Sequence, residues 1–286
     1  MALQQVTSNV FVDIGCRGCN FGFLTTSDGI VMFDSPHKPS DAMALKAEID
    51  RRGQLRHIIN TEPHGDHWTG NSFFDVPVIA HEGVRRRILE TDLADHVQRV
   101  SNFGPDEPQY MGDYQFNAPA ITFQNGMRLR VGDHTIEIVH MPGHTAYQAA
   151  ICIKEEGVVW TSDNIFHKVQ SFLQEGSPDQ WLTAVESLRR LDEEIFVPGH
   201  GELCGKEYLD EQGSYIQEWK DYVWNAVERG MGKDEAIYSL TDMTGRYPME
   251  AAHQDAAAVM RMNVANLYDY MTGNWVPSNP QAPPAR

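Results

Sequence analysis

The chain has 286 residues, which fits one large domain or two small ones and is long enough to bury a sizeable core. Apolar residues make up 41% and charged residues 22%, a composition typical of globular rather than disordered proteins. A net charge of −17 argues against nucleic acid and against an anionic membrane surface as partners. Twelve histidines among so many carboxylates leave a metal site open as an interpretation.

The four cysteines are too few for a disulfide scaffold in a chain of this length. Cys16 and Cys19 form one CxxC sequence, which is either a redox pair or a loop with two incidental thiols. The first residues lack the basic and apolar regions of a signal peptide, and no apolar run approaches the ~18 residues of a membrane span. We therefore expect a protein of the reduced cytoplasm.

Up to about residue 200 the pattern predicts many short strands with interleaved helices. A turn at residues 27–29 indicates a hairpin. A helix is predicted over 40–51, capped by Ser40, and another over 82–93. From 94 to 119 the periodicity fades, which is typical of a lid or binding loop. The predicted strands are 10–14, 21–25, 29–33, 57–60, 78–80, 122–123, 127–131, 135–139, 149–153, 157–161 and 195–197.

After residue 201 the pattern becomes helical. A long helix is predicted over 208–229, where Tyr215, Trp219, Tyr222 and Val223 fall on one face. A further helix is predicted over 249–271. We therefore expect a core over residues 1–205, a helical extension packed on it over 206–276, and a proline-containing flexible tail over 277–286.

The strongest local signal for chemistry lies at residues 61–71. Glu62, His64, Asp66 and His67 place four metal-capable side chains within six residues, directly after an apolar strand. A turn that leaves a strand can direct such side chains into one small volume, with Gly65 allowing a tight backbone.

The same arrangement recurs three times further along the chain. An apolar strand runs into a turn that carries His144, another into a turn with Asp163, and a third into a turn with His200. Loops at the ends of neighbouring strands build sites on a rigid scaffold. Together these side chains are sufficient to hold two divalent metals.

The order and spacing of these residues resemble the metallo-beta-lactamase superfamily. The signature comprises His-x-His-x-Asp-His, a Gly-His-Thr turn, an Asp after a strand, and a Pro-Gly-His-Gly-like turn. The resemblance covers roughly residues 8–205 and implies an α/β fold of the αββα sandwich type. Within the superfamily, the bridging position of Asp163 is similar to glyoxalase II and lactonase-like members more than to true beta-lactamases.

The resemblance implies that one metal takes Glu62, His64 and His144, that the other takes Asp66, His67 and His200, and that Asp163 bridges them. Glu62 is the departure, because the family pattern has His at that position. Three carboxylates and a bridging hydroxide would cancel two divalent cations. We expect zinc, with Mn or Fe as alternatives that such an oxygen-rich site would suit. The other reading is that Glu62 does not ligate and one site is weak or empty.

The function implied is a hydrolase in which a metal-bridged hydroxide attacks a small, aromatic or cyclic ester, lactone, thioester or amide. Asp66 would orient the nucleophile and return a proton, and His167 would contact the substrate or oxyanion. A homodimer is possible. The residues predicted to line the substrate pocket are Trp68, Cys19, His37, Tyr110 and Tyr114.

Two other functions stay open. Glu62 makes iron more plausible, and with it an oxidoreductase similar to persulfide dioxygenases. A non-catalytic, metal-binding regulator with a degenerate site is the third hypothesis.

Overall fold

The computed structural model describes residues 2–240, 246–248 and 256–276, and within these it contains two β-sheets and eight α-helices. The predicted tail at 277–286 and the first residues of the predicted helix 249–271 lie outside the described residues. The strands are β1 (Gln4–Gln5), β2 (Val10–Asp13), β3 (Phe21–Thr26), β4 (Gly29–Phe33), β5 (Leu55–Ile59), β6 (Val78–His81), β7 (Ile121–Phe123), β8 (Gly126–Val131), β9 (His134–His140), β10 (Ala149–Ile153), β11 (Val158–His167) and β12 (Ile195–Gly201). The helices are α1 (Pro39–Arg52), α2 (Gly65–Trp68), α3 (Glu82–Glu90), α4 (Leu93–Ser101), α5 (Pro178–Arg189), α6 (Glu207–Glu228), α7 (Lys233–Ser239) and α8 (Ala256–Thr272).

The two sheets form the centre of an αββα sandwich, as predicted. One sheet has the order β1-β2-β3-β4-β5-β6-β7 and the other β12-β11-β10-β9-β8. Their inner faces share one buried cluster, in which the rings of Phe33 and Trp160 lie 5.1 Å apart. Helix α1 covers the outer face of the first sheet, while α5, α6 and α8 cover the outer face of the second.

Helix α6 buries Tyr215, Trp219 and Val223 in a core shared with α5, α8 and the second sheet, and the predicted fourth member of this face, Tyr222, is partly buried. No helix in the described ranges combines the length and the apolar character that a membrane span requires.

Helix α4 lies inside the segment that the sequence predicts to be a loop, so the prediction for 94–119 is wrong at its start. Asp92 caps this helix by accepting a hydrogen bond from the Asp95 amide at 2.9 Å. Only His96 and Val100 are buried on it. Leu93, Val97 and Val100 lie at i, i+4 and i+7 and pack on one cluster, so the helical pattern is present in the sequence but extends over only nine residues. Helices α5 and α7 were not predicted either.

The cap of α1 differs from the prediction as well. The helix begins at Pro39, one residue before Ser40, so Ser40 is not its cap. Instead Glu107, from the distant loop, accepts hydrogen bonds from the Ser40 amide at 3.0 Å and the Ser40 hydroxyl at 2.8 Å. Its carboxylate also pairs with Lys38 at 3.1 Å. The loop is therefore anchored to the start of α1, where a negative charge is favourable.

The stability of the sandwich is expected to depend on pH through His134, a buried residue at the start of β9. Its ring nitrogens lie 2.9 Å from Asp133 and 2.8 Å from Glu156. Although burial lowers the pKa of His134, these carboxylates raise it above its usual value. The stabilisation is then present below the unfolded-state pKa of ~6.5 and is lost as the pH rises through the raised folded-state value.

His134→Gln should therefore lower the free energy of unfolding by about 1–2 kcal/mol at pH 6, with a smaller deficit at pH 9. Urea denaturation of both proteins at the two pH values measures this. An equal deficit at both values would show that the imidazolium charge does not contribute.

Candidate metal centre

Seven side chains from five elements meet at one rim of the sandwich. Parallel pairing aligns the ends of β4, β5 and β6 in one sheet and of β11 and β12 in the other. The seven are Glu62 and His64 after β5, Asp66 and His67 in α2, His144 in the turn between β9 and β10, Asp163 in β11 and His200 in β12. These are the residues that the sequence predicts as metal ligands.

One half of the cluster comprises Glu62, His64 and His144. The Nδ1 atom of His64 lies 3.0 Å from Glu62 Oε1 and 3.2 Å from His144 Nε2. Glu62 Oε2 lies 3.9 Å from the same His144 nitrogen. Glu62 is fully buried and its carboxylate faces the imidazoles, so the residue that departs from the family signature is in place to act as a ligand.

The other half comprises Asp66, His67 and His200. Asp66 Oδ2 lies 3.5 Å from His200 Nε2 and 4.0 Å from His67 Nε2. Asp163 connects the halves: its Oδ1 is 3.2 Å from His67 Nε2, and its Oδ2 is 3.5 Å from His144 Nε2 and 3.4 Å from His200 Nε2. This is the position that a bridging carboxylate requires.

The donor set fits two divalent metals. Two ligands about 2.1 Å from one tetrahedral metal lie roughly 3.4 Å apart, close to most of the separations above. Glu62 Oε2, His67 Nε2 and Asp163 Oδ1 are buried and have no hydrogen-bond partner. Within the described residues no Lys or Arg pairs with Glu62 or Asp163. Because buried carboxylates require a partner, cations among these atoms would account for the arrangement.

Outer partners orient His64, His67 and His144. His67 Nδ1 donates to Asp34 at 3.0 Å and His144 Nδ1 donates to the Phe172 carbonyl at 2.7 Å. His64 directs its Nε2 to Glu175 at 3.3 Å, which leaves Nδ1 for the cluster. Histidine ligands are commonly held this way, with one nitrogen fixed by a carboxylate or carbonyl. Sequence reasoning missed Asp34 and Glu175 in this role, although Asp34 immediately follows β4 at the same rim.

Asp34 itself is held in a conformation with φ +52°. The Thr61 amide and hydroxyl donate to its two oxygens at 2.8 and 2.6 Å. Asn tolerates positive φ nearly as well as Asp. Asp34→Asn therefore removes the carboxylate behind His67 with little backbone strain.

We expect Asp34→Asn to lower the affinity for metal by about 10–100-fold. Competition with a chromophoric chelator measures the affinity. Asp50→Asn is the matched control, since Asp50 is an exposed residue of α1. An unchanged affinity in the Asp34 variant would mean that the carboxylate does not support the centre.

Two glycines in the ligand turns permit close packing. A Cβ atom on Gly199 would overlap Asp163 Oδ1, and one on Gly143 would overlap Asn164 Oδ1. The glycine before His144 and the glycine before His200 are thus required because a larger residue would displace a neighbouring polar side chain.

The pKa values of the cluster reflect its mixture of acids and imidazoles. Burial lowers the pKa of His64, but the carboxylates of Glu62 and Glu175 raise it well above its usual value. Burial raises the pKa of Asp66, but the imidazoles of His67 and His200 hold it below its usual range. Protons and metal ions therefore compete for the same atoms.

A cavity of about 370 Å³ opens onto the cluster. His64, Asp66, His144, Asp163 and His200 reach its surface. The remaining lining residues come from the β2–β3 loop, the loop after β4, α2, the α4 region, the loop after β11 and α8; they are Arg17, Gly18, His37, Gly65, His96, Arg99, Val100, Phe103, Phe172, Gln174 and Met262.

Of the five predicted pocket residues, His37 lines the cavity. Its ring packs edge-on against Phe103 at 4.5 Å, and burial lowers its pKa to about 4, which keeps it neutral. The other four, Trp68, Cys19, Tyr110 and Tyr114, are not among the cavity's lining residues.

Three of these four have local contacts that explain their position. The Trp68 indole donates to the Pro63 carbonyl at 2.8 Å, and the Tyr114 hydroxyl donates to the Thr69 carbonyl at 2.8 Å. The Cys19 thiol donates to the Asp66 carbonyl at 3.1 Å. Trp68, Tyr114 and Cys19 thus pack behind the motif that carries the ligands.

His167, predicted to contact substrate, is also absent from the cavity lining. Its Nδ1 donates to the Glu202 carbonyl at 2.9 Å and its ring packs against Tyr208 at 4.3 Å. The sequence analysis did not identify Arg99, Phe172, Gln174 or Met262, because no motif links these scattered positions.

Comparison with known proteins agrees with this architecture. The profile of the metallo-beta-lactamase superfamily matches residues 14–200, which is more than half of the chain and includes all seven cluster residues.

Among curated proteins the chain is similar to hydroxyacylglutathione hydrolases. It is 28% identical to that of Brucella anthropi over 202 residues, covering 70% of this chain and 66% of the relative. The corresponding protein of Methylococcus capsulatus is 26% identical over 175 residues, covering 59% of this chain and 56% of the relative. The matched region thus spans less than two thirds of these relatives.

Among solved structures, a metallo-beta-lactamase family protein from Thermus thermophilus aligns with a TM-score of 0.68 at 17% identity, covering 94% of this chain and 95% of that one. A metallo-beta-lactamase from Pontibacter korlensis aligns with a TM-score of 0.59 at 15% identity, covering 76% and 98%. At these identities the likeness supports the fold alone.

Proposed function

We propose that this chain, which belongs to the metallo-beta-lactamase superfamily, is a metal-dependent hydrolase of a small-molecule ester, lactone, thioester or amide. The observation that carries the proposal is the convergence of seven donor side chains, with three buried atoms unpartnered, at the floor of a cavity. The curated relatives, which are named as hydrolases, support the reaction class. The bond cleaved is our own inference.

Two divalent metals, zinc in the first instance, would be held by Glu62, His64 and His144 and by Asp66, His67 and His200, with Asp163 shared. When bound, such a pair lowers the pKa of water and polarises a substrate carbonyl.

The chain's own groups supply positioning and proton transfer. Asp66 lines the cavity and, because His67 and His200 hold its pKa low, it stays a carboxylate that can accept a hydrogen bond from water. As the water adds to the carbonyl, this carboxylate can take up the proton that the water loses and then pass it to the leaving group.

Glu62 favours a second candidate, an iron-dependent oxidoreductase. Three carboxylates among seven donors make the cluster richer in oxygen than the family signature, and oxygen donors suit harder metals. The buried position of Glu62 within reach of His64 and His144 supports this alternative.

The test uses full-length protein expressed separately with Zn, Mn and Fe supplementation. Metal content is measured by elemental analysis, and ester, lactone and thioester hydrolysis is assayed together with oxygen uptake. The proposal expects about two metals per chain and hydrolysis without oxygen consumption. Bound iron with substrate-linked oxygen uptake would overturn the proposal in favour of the oxidoreductase. A protein that binds no metal under any of the three conditions and shows no activity would overturn it in favour of a non-catalytic regulator with a degenerate site.

A further inference from the structure

Two arginines line the cavity. Arg17 comes from the β2–β3 loop and Arg99 from α4. Neither forms an ion pair with a carboxylate in the described part of the chain, whereas Arg52 and Arg128, for example, pair with Glu48 and Glu137. In a chain with a net charge of −17, unpaired cations at the mouth of the metal cluster require an explanation.

Arg17 is held in a position suited to bind an anion. Its Cζ atom lies 4.3 Å from the centre of the Phe103 ring. Its Nε atom is buried and has no hydrogen-bond partner. A guanidinium supported on an aromatic face keeps its in-plane N–H groups available for a planar, bidentate acceptor.

Burial lowers the pKa of Arg17, and the negative charge of Asp66 acts in the opposite direction and raises it. Asp66 belongs to the cluster, where bound cations would neutralise it. The loaded protein would then present Arg17 and Arg99 without a compensating charge. Arg17 is half-buried and its Nε atom is enclosed without a partner, so a bound anion would satisfy that atom, while the exposed Arg99 adds positive charge to the cavity.

Part of the cavity wall is apolar. Val100, Phe103, Phe172 and Met262 contribute aliphatic, aromatic and thioether surface, beside the polar side chains of His37, His96 and Gln174. This combination of an apolar wall with a few polar groups is typical of small-molecule sites.

We propose that the cavity selects a substrate with a free carboxylate at one end, bound by Arg17 and Arg99, and an apolar segment that packs against Phe103 and Phe172. The scissile carbonyl then lies at the metal cluster. This inference rests on the proposed hydrolase function and adds the substrate class to it.

The test compares 4-nitrophenyl half-esters of adipic, pimelic and suberic acids with the same esters whose free carboxyl is methylated. The scissile bond is identical within each pair, and the three lengths sample the span of the cavity. Wild-type protein, Arg17→Gln, Arg99→Gln and the double variant are assayed. The control is Arg190→Gln, which removes an exposed arginine paired with Glu186 outside the cavity.

We expect kcat/KM for at least one half-ester to exceed that of its methylated partner by about tenfold or more, chiefly through a lower KM. The double variant should lose about 10–100-fold on the charged ester and less than about threefold on the neutral one. Arg190→Gln should match the wild type on both. Equal kcat/KM for both members of every pair, with equal losses in the variants, would overturn the inference while leaving the hydrolase intact.

A binding measurement separates the two proposals. Calorimetric titration with 5-phenylvalerate and with 5-phenylpentanol uses no turnover, and tighter binding of the carboxylate should disappear in the double variant. If no ester is cleaved but this arginine-dependent preference is present, the hydrolase is wrong and the anion site is right. Equal affinity of wild type and double variant for 5-phenylvalerate would overturn the anion site.

Discussion

Asp163→Asn is expected to lower kcat for hydrolysis by at least about 10²–10³-fold. Asp163 is the carboxylate whose two oxygens face both halves of the cluster, within 3.2–3.5 Å of His67, His144 and His200. Asn provides one neutral oxygen in place of two charged ones, so it cannot serve both metals. Steady-state assays at saturating metal measure the change.

Asp192→Asn is the matched control, because Asp192 lies exposed in the turn after α5. Circular dichroism checks that both variants fold, and elemental analysis reports their metal content. A kcat within tenfold of wild type, with two metals still bound to the Asp163 variant, would mean that the shared carboxylate is dispensable.

Removal of metal is expected to lower the thermal midpoint on the order of 10 °C. A ligand present at about 1,000 times its Kd stabilises the folded state by ~4 kcal/mol, and each kcal/mol shifts the midpoint by roughly 2–4 °C in a chain approaching this size. The physical reason is that no Lys or Arg of the described residues pairs with buried Glu62 or Asp163, whose charges face only the imidazoles of the cluster. Thermal scans before and after exhaustive chelation measure the shift.

Chelator preloaded with zinc is the control for nonspecific effects, and returning metal should restore the midpoint. The Asp163→Asn variant should show a smaller shift, because it binds metal less tightly to begin with. A midpoint unchanged within about 2 °C, when elemental analysis shows complete removal, would contradict the idea that the cluster depends on cations.

Much of the fold could be predicted because its strands are apolar and bounded by clear turns. The hairpin of β3 and β4, with Thr26 paired to Gly29, follows from the Ser-Asp-Gly turn. The αββα arrangement came from the resemblance carried by the ligand motifs, and the superfamily match confirms it. Helix α4 was missed although Leu93, Val97 and Val100 follow helical spacing, because the pattern covers only two turns at the start of a segment rich in Pro and Gly.

The seven cluster residues were identifiable because each is a metal-capable side chain that closely follows an apolar run, although Asp163 and His200 lie inside β11 and β12 and not in the predicted turns. Most of the cavity wall was not, since it is assembled from places far apart in the chain. Arg99 comes from α4, Phe172 from the loop after β11 and Met262 from α8. Trp68 and Tyr114 are close to the motif, yet their polar atoms bond to backbone carbonyls behind it. Proximity in sequence therefore misled where hydrogen-bond requirements decided the orientation.

The most direct test of the account is anomalous diffraction from crystals of the metal-loaded protein, recorded at the absorption edges of Zn, Mn and Fe. The account predicts two anomalous peaks among the seven side chains, with Asp163 between them and a Glu62 oxygen coordinated to the metal that also binds His64 and His144. A single peak, or two peaks with Glu62 turned away from both, would contradict it.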